Sequence, residues 1–416
     1  MKKRQFAACA AAVGIAVLAA ACGSSSSSSG GSGSSSASAT TAGAAKGKPV
    51  NVLVITDTSG PTKPFGTQEL LGLEAAARYY NAHGGILGGQ VHLTVKNDNG
   101  DPTIAASEAV QALSGNPTKY AMVWAGQEGT TTAALIPIIK RFKVFATAVN
   151  DGNNECATAS ACPDQFAMVG PSSLAELADA AYLKKTGVTH VGLIVDQVTY
   201  DLAELAYMQK DLTKLGIKYN TVTFPSSAVS VTPEMAELKG DGVQAVFAEA
   251  LGSSAAYVLN ARPALGWQVP TTLDITASSL DDSKLVPASE LKGVKETIHW
   301  CMDLKNKIPA FTLMNQYTPS PLEGSVTCDI AGSGWAGMVL LAQAAEKAKS
   351  LDASAVVNAA DSIKQTSSDP NYMYIDYAGA CWTPQDHENV CNTPNDFTVV
   401  PVGTLVNTRL QPLPAP

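Results

Sequence analysis

Val50-Asn51-Val52-Leu53-Val54-Ile55-Thr56, closed by Asp57-Thr58-Ser59-Gly60-Pro61, is a short apolar run ended by turn residues. A continuous run of this length marks a strand buried on both faces, as a parallel sheet requires. Downstream, Leu70, Leu73, Ala77 and Tyr80 recur at helical spacing, and Gly84-Gly85 ends the pattern. Val91, Leu93 and Val95 then alternate with His92, Thr94 and Lys96, which predicts a second strand. Asp101-Pro102 supplies an N-cap and a proline at the first helical position, opening a helix to about Leu113. A third strand follows at Tyr120 to Trp124, a helix at Thr130 to Arg141 and a fourth strand at Val144 to Ala148. Strands and helices alternating through short joins predict an α/β fold with a parallel, doubly wound sheet.

After a polar, cysteine-containing passage from Asn150 to Pro163, the rhythm starts again. Helices are predicted over 172–186, 201–215, 233–239 and 253–265. Strands are predicted at Val188 to Val195, Ile217 to Phe224, Val243 to Ala248 and Val269 to Leu273. Two successive sets predict two similar lobes. Open α/β sheets take ligands beyond the carboxyl ends of their strands, so two facing sheets make a cleft.

Upstream, Lys2, Lys3 and Arg4 precede an uncharged apolar run from Phe6 to Ala21 that ends at Cys22. The run is short for a membrane span and closes on small residues, the pattern of a secretory signal. Leu18-Ala19-Ala20-Ala21-Cys22 resembles a bacterial lipobox, which implies cleavage before Cys22 and a lipid on that residue. Gly23 to Ala45 is almost wholly Ser, Gly, Ala and Thr and reads as a flexible tether that can bury no core. The expected location is the outer face of a bacterial membrane, held there by the lipid. The chain is 45% hydrophobic and 15% charged, with a formal charge of -8. Removing the signal's cations makes it more acidic, so no basic footprint for nucleic acid exists.

Cys9 leaves with the signal. Six cysteines then remain beyond Cys22, an even number in an exported chain, which points to disulfides. Six allow fifteen pairings, and proximity in sequence favours Cys156–Cys162, Cys301–Cys328 and Cys381–Cys391. The rival reading, metal ligation, finds no Cys-x-x-Cys and no histidine at a ligand spacing. No metal and no cofactor are expected.

Four motifs occur in order: Asp57-Thr58-Ser59-Gly60-Pro61 with Phe65-Gly66, Asn81-Ala82-His83-Gly84-Gly85-Ile86-Leu87-Gly88-Gly89, and Asp98-Asn99-Gly100-Asp101-Pro102. Together they resemble the extracellular solute-binding proteins of branched-chain amino-acid ABC transporters, the leucine/isoleucine/valine-binding group. The resemblance covers nearly the whole mature chain and thins after about residue 275. It implies a type I periplasmic-binding-protein fold, with two lobes, three crossover segments as hinge, and ligand held in the cleft. It also implies that no reaction is catalysed and that a membrane permease receives the solute. In the first lobe the resemblance places ligand contacts at Phe65, at Gly129 and Thr130 in the loop Gly126-Gln127-Glu128-Gly129-Thr130-Thr131, and at Val149 and Asn150. Gly129 stands where the family has a serine, Val149-Asn150 where it often has Ala-Thr, and Glu128 would disfavour an anion. In the second lobe it places Tyr200, within Asp196-Gln197-Val198-Thr199-Tyr200, and Glu249 and Asp274 at strand ends, where either carboxylate could meet an ammonium.

Gly332-Ser333-Gly334-Trp335-Ala336-Gly337 matches G-x-G-x-x-G, but no buried strand precedes it, and Met338, Leu341 and Ala345 continue a helix. It reads as a packing helix. The histidines form no catalytic or metal pattern, and His387-Glu388 between Cys381 and Cys391 reads as an exposed hairpin tip. The expected organisation is a signal over 1–22, a tether over 23–47, a first lobe of 48–150 plus 276–385, and a second of 151–275 plus 386–416. The expected protein is a monomeric, lipid-anchored solute-binding protein that takes an amino acid or related small polar solute to an ABC permease. Alternatives are a sensory receptor module using the same clamp, or an exported enzyme, for which no catalytic constellation is visible.

Overall fold

The computed structural model describes residues 47–412, apart from 61, 127–128, 151–154, 172, 226, 251–252, 276–284, 320–326, 376–377 and 407–408. The signal, Cys22, most of the tether, Glu128 and the expected divisions at 150/151 and 275/276 lie wholly or partly outside the described residues.

β1 (Val50–Thr56) lies inside a five-stranded parallel sheet with β2 (Val91–Asn97), β3 (Met122–Trp124), β4 (Ala146–Ala148) and β5 (Gln165–Ala167), in the order β2-β1-β3-β4-β5. Its side chains alternate between two cores, which is why the run is apolar throughout. Val50, Val52 and Val54 enter one, and Leu53 and Ile55 enter the other. Helices α1 (Lys63–Ala82), α2 (Pro102–Ser114) and α3 (Gly129–Phe142) connect these strands. Asp101 caps α2 by accepting from the N–H groups of Thr103 and Ile104 at 2.7 and 3.1 Å.

The chain then builds α4 (Ser173–Lys185), β6 (His190–Asp196), α5 (Thr199–Leu215), β7 (Lys218–Phe224), α6 (Thr232–Gly240), β8 (Ala245–Glu249), α7 (Ser253–Ala264), β9 (Thr271–Leu273) and β10 (Val294–His299). It next forms α8 (Pro309–Tyr317), α9 (Thr327–Ala348), α10 (Ala353–Ala360) and the small antiparallel pair β11 (Lys364–Thr366) and β12 (Gly379–Cys381). β13 (Phe397–Pro401) returns to pair antiparallel with β10, giving a second sheet in the order β13-β10-β9-β8-β6-β7. A hairpin of β14 (Gly403–Val406) and β15 (Arg409–Pro412) follows.

The two sheets share one topology. Around β1 the order is β2-β1-β3-β4, and around β6 it is β7-β6-β8-β9. Two strands fall outside the expected divisions. β5 pairs with β4 in the first sheet, although the second lobe was expected to begin at 151, and β10 pairs with β9 in the second sheet, although 276–385 was assigned to the first. β5 is only three residues long and follows a polar passage, so no periodicity announces it. The chain passes between the sheets after β5, after β10 and before β13.

The glycine-rich segment Gly332 to Gly337 lies within α9, against α1. A Cβ on Gly334 would stand 2.4 Å from the Glu69 carbonyl oxygen, and one on Gly72 would stand 1.8 Å from that of Ala331. The glycines therefore serve close helix packing, not a nucleotide. The disulfides join Cys156–Cys162, Cys301–Cys328 and Cys381–Cys391. The expectation of an exposed tip at His387-Glu388 is wrong, because both residues are 2% exposed. His387 stacks on Phe166, meets the Cys162 carbonyl at 2.7 Å and pairs with Asp361 at 2.9 Å. Polarity reflected partners rather than solvent. No helix among the described residues is long and apolar enough to cross a membrane.

Candidate functional site

In each sheet the chain winds one way from the central strand and then the other. The gap beyond the carboxyl ends at that reversal is where open α/β sheets take ligands. The first reversal lies between β1 and β3, the second between β6 and β8.

At the first, Thr56, Asp57, Thr62, Gly66, Glu69, Asp98, Gly126 and Thr131 line a small cavity. Asp57 is saturated with donors. Oδ1 accepts from Ser59 N–H at 2.9 Å and from Gly60 N–H, and Oδ2 accepts from Thr62 N–H at 2.8 Å and its hydroxyl at 2.9 Å. Burial opposes ionisation, but these donors hold the carboxyl below its ordinary pKa. Glu69 lies beneath it, wholly buried, with Oε2 accepting from the Thr56 hydroxyl at 2.7 Å and Trp124 Nε1 at 2.8 Å. Burial outweighs these two donors and lifts Glu69 to about 7.

The second reversal is a nest of acids. Asp196 ends β6, Asp201 and Glu204 lie on the first two turns of α5, Glu249 ends β8 and Asp274 follows β9. Glu176 and Asp179 reach in from the start of α4. All seven are at most 1% exposed. Burial raises the pKa of Glu176, Asp179, Asp201 and Glu249 well above the ordinary range, and the neighbouring carboxylates raise it further. The Thr297 hydroxyl donates to Asp179, and Glu204 lies beside the Tyr200 phenol and, after burial, does most to raise its pKa. Carboxylate oxygens of Glu176, Glu204 and Glu249 lie within 4.8 Å of one another, an all-oxygen set able to hold a hard cation.

The residues expected from sequence divide between these two edges. Gly129 and Thr130 open α3 after β3, and Val149-Asn150 follows β4. The Val149 N–H donates to the Gly126 carbonyl at 3.3 Å, which places the two loops side by side. Phe65 sits in the first turn of α1, half-buried against the main core. Tyr200, Glu249 and Asp274 share the second edge, and both carboxylates act on the Tyr200 phenol. Glu176, Asp179 and Glu204 were missed. The signal for them is the spacing of Glu176 with Asp179 and of Asp201 with Glu204, three apart on two helices that pack together.

The chain matches the model of the periplasmic binding protein family over residues 49–393. Its structure resembles the periplasmic binding protein type 1 of Bordetella pertussis Tohama I, with 19% identity, a TM-score of 0.73, and coverage of 88% of this chain and 100% of that one. It also resembles the leucine-binding protein LivK of Thermotoga maritima MSB8, at 17% identity and TM-score 0.65, covering 74% of this chain and 86% of that one. A third likeness is the fatty acid ABC transporter substrate-binding protein of Thermomonospora curvata, at 15% identity and TM-score 0.64, covering 82% and 87%. No curated protein is a significant match. Two largely parallel sheets of one topology, joined by three passes of the chain, match the type I periplasmic-binding-protein fold, and the chain belongs to the periplasmic binding protein family.

Proposed function

We propose that this protein is a lipid-anchored, extracytoplasmic solute-binding protein that clamps a small polar solute between its two lobes and delivers it to an ABC permease. The observation that carries this reading is the pairing of unlike edges. Hydroxyl and amide groups at Thr130 and Asn150, with the N-terminus of α3, suit a carboxylate, and Tyr200, Glu249 and Asp274 suit an ammonium. An amino acid or a related zwitterionic compound meets both demands. The lobes follow sheet membership, so that the first runs through β5 and resumes after β10, and the second takes α4 to β10 and β13. Closure around the solute would be a hinge motion at the three passes. Lipid on Cys22 and the Ser/Gly tether would keep the loaded protein near its permease.

A thermal-shift screen of the chain from Gly47 onward, against amino acids, amides, aromatic acids and sugars, tests the reading. A ligand at about a hundred times its Kd stabilises by roughly 2.7 kcal/mol, well within detection. Thr130→Ala and Tyr200→Phe should each weaken the stabilising compound about tenfold. Absence of any shift in protein freed of copurified ligand would overturn solute capture. Retention of the full protein in the membrane fraction when Cys22→Ser is introduced would overturn the lipid anchor.

A further inference from the structure

Glu176, Glu204 and Glu249 come from α4, α5 and β8, and each offers a carboxylate oxygen within 4.8 Å of the other two. Two other buried acids of the fold are well supplied with donors. Asp57 has four, and Asp396 accepts from the Thr393 N–H, the Thr393 hydroxyl and the Ala378 N–H. Glu176 has none. Both its carboxylate oxygens are buried without a hydrogen-bond partner, and so is Oε1 of Glu249. Like charges this close, removed from water, require compensation by a positive charge or by neutralisation.

The chemistry of the donors narrows what compensates them. Three carboxylates without sulfur or imidazole suit a hard cation. Oxygens on opposite sides of a Ca²⁺ ion stand about 4.8 Å apart at its usual bond length of about 2.4 Å, so the triangle fits inside one Ca²⁺ coordination sphere. Mg²⁺ is smaller and keeps several waters, for which oxygens with no accessible surface leave no room. An alkylammonium needs space for its carbon chain as well. A bare ion needs only small adjustments of three side chains.

We propose that Glu176, Glu204 and Glu249 form a Ca²⁺ site inside the second lobe, fastening α4 and α5 to the end of β8. The site does not depend on the identity of the solute. It bears on solute capture, because Glu204 lies one turn from Tyr200 on α5 and beside its phenol, so an ion at Glu204 fixes the turn that carries Tyr200. Three carboxylates exceed the charge of one divalent ion, so the edge stays negative and still suits an amino group.

The experiment is calcium titration of the chelator-stripped mature protein by calorimetry and thermal shift, beside MgCl₂ and NaCl of matched ionic strength. The expected result is one Ca²⁺ per chain, a Tm rise of several degrees in millimolar calcium, and Mg²⁺ binding at least tenfold weaker. Glu176→Gln and Glu249→Gln, which preserve shape, should each weaken calcium at least tenfold. Glu346→Gln, which removes an exposed acid on α9, should leave it unchanged. An equal shift with NaCl would reduce the effect to screening and overturn the site. Unaltered calcium affinity in both glutamine variants of the cluster would do the same.

Discussion

The two reversals of strand order place buried carboxylates at the same topological position and surround them in opposite ways. At β1 the donors come from the loop that carries the acid, because Ser59, Gly60 and Thr62 all turn their N–H groups onto Asp57 within five residues. At β6 and β8 the acids come from separate helices and strands, and the largest influence on each, after burial, is often another acid. A local loop can satisfy a charge as it forms. Acids gathered by tertiary packing meet one another only when the fold is complete, and they are tolerated there only if neutralised by protons or by a cation. The first site is thus built around a fixed negative charge, the second around one that must be offset.

The largest expected effect of this difference is at Asp57. Asp57→Ala strands several N–H groups and a hydroxyl in a site that is 4% exposed, and should cost on the order of 4 kcal/mol. A urea midpoint close to wild type would show that the loop does not depend on the charge. Glu69, directly beneath, tests the same floor by pH. Its folded pKa of about 7 lies above the ordinary 4.5, so the folded state holds the proton more tightly than the unfolded state. Below about 4.5 both states are protonated and nothing is lost. Stability should fall as pH rises from there through about 7, by on the order of 3 kcal/mol, and stay lower above. The other buried acids titrate in both proteins, so the difference between wild type and Glu69→Gln isolates this group. A constant difference from pH 4 to 8 would mean that Glu69 does not titrate in this window.

At the second site the sign should reverse. In calcium-free buffer at pH 7, Glu176 is either ionised without a partner or protonated against the solvent pH. Glu176→Gln avoids both costs, and its amide can donate to the neighbouring carboxylates. The variant should gain about 2 kcal/mol, more at higher pH. Destabilisation would show that the carboxylate has a partner whose loss matters more than its charge.

The same contrast explains what could be read from sequence. β1 announces itself because both its faces are apolar, and the alternating strands and helices after it define two doubly wound sheets. Tyr200 was placed at the second edge by the family resemblance of its segment, and Glu249 and Asp274 by lying at or just after a strand end. Glu176 and Glu204 were not, because a charged residue on a helix reads as solvent-facing until the packing partner of that face is known. The partner of α4's acidic face is another acidic face, on α5, a pairing that no single-helix pattern suggests. His387 and Glu388 failed in the same way, polar side chains buried by distant partners such as Phe166 and Asp361. β5 failed for a simpler reason, since three residues are too few to show a period.

The smallest expected effect tests whether the second site has any of the first site's character. Thr297, on β10, donates its hydroxyl to Asp179, the kind of contact that Thr62 makes to Asp57. Thr297→Val keeps the shape and removes the donor, and should cost about 1 kcal/mol if that contact acts like an ordinary buried hydrogen bond. Coupling decides what the number means. If Asp179 is ionised, the hydroxyl partly offsets a buried charge, and Asp179→Asn should remove most of the cost of Thr297→Val in a double-mutant cycle. If Asp179 is already neutral, the hydroxyl meets a neutral acceptor in both backgrounds and the two costs should nearly add. Additive costs would extend the requirement for neutralisation from Glu176 to the α4 acid one turn further on. Strong coupling would make Asp179 an acid of the second edge held as Asp57 is held, by a donor built for it.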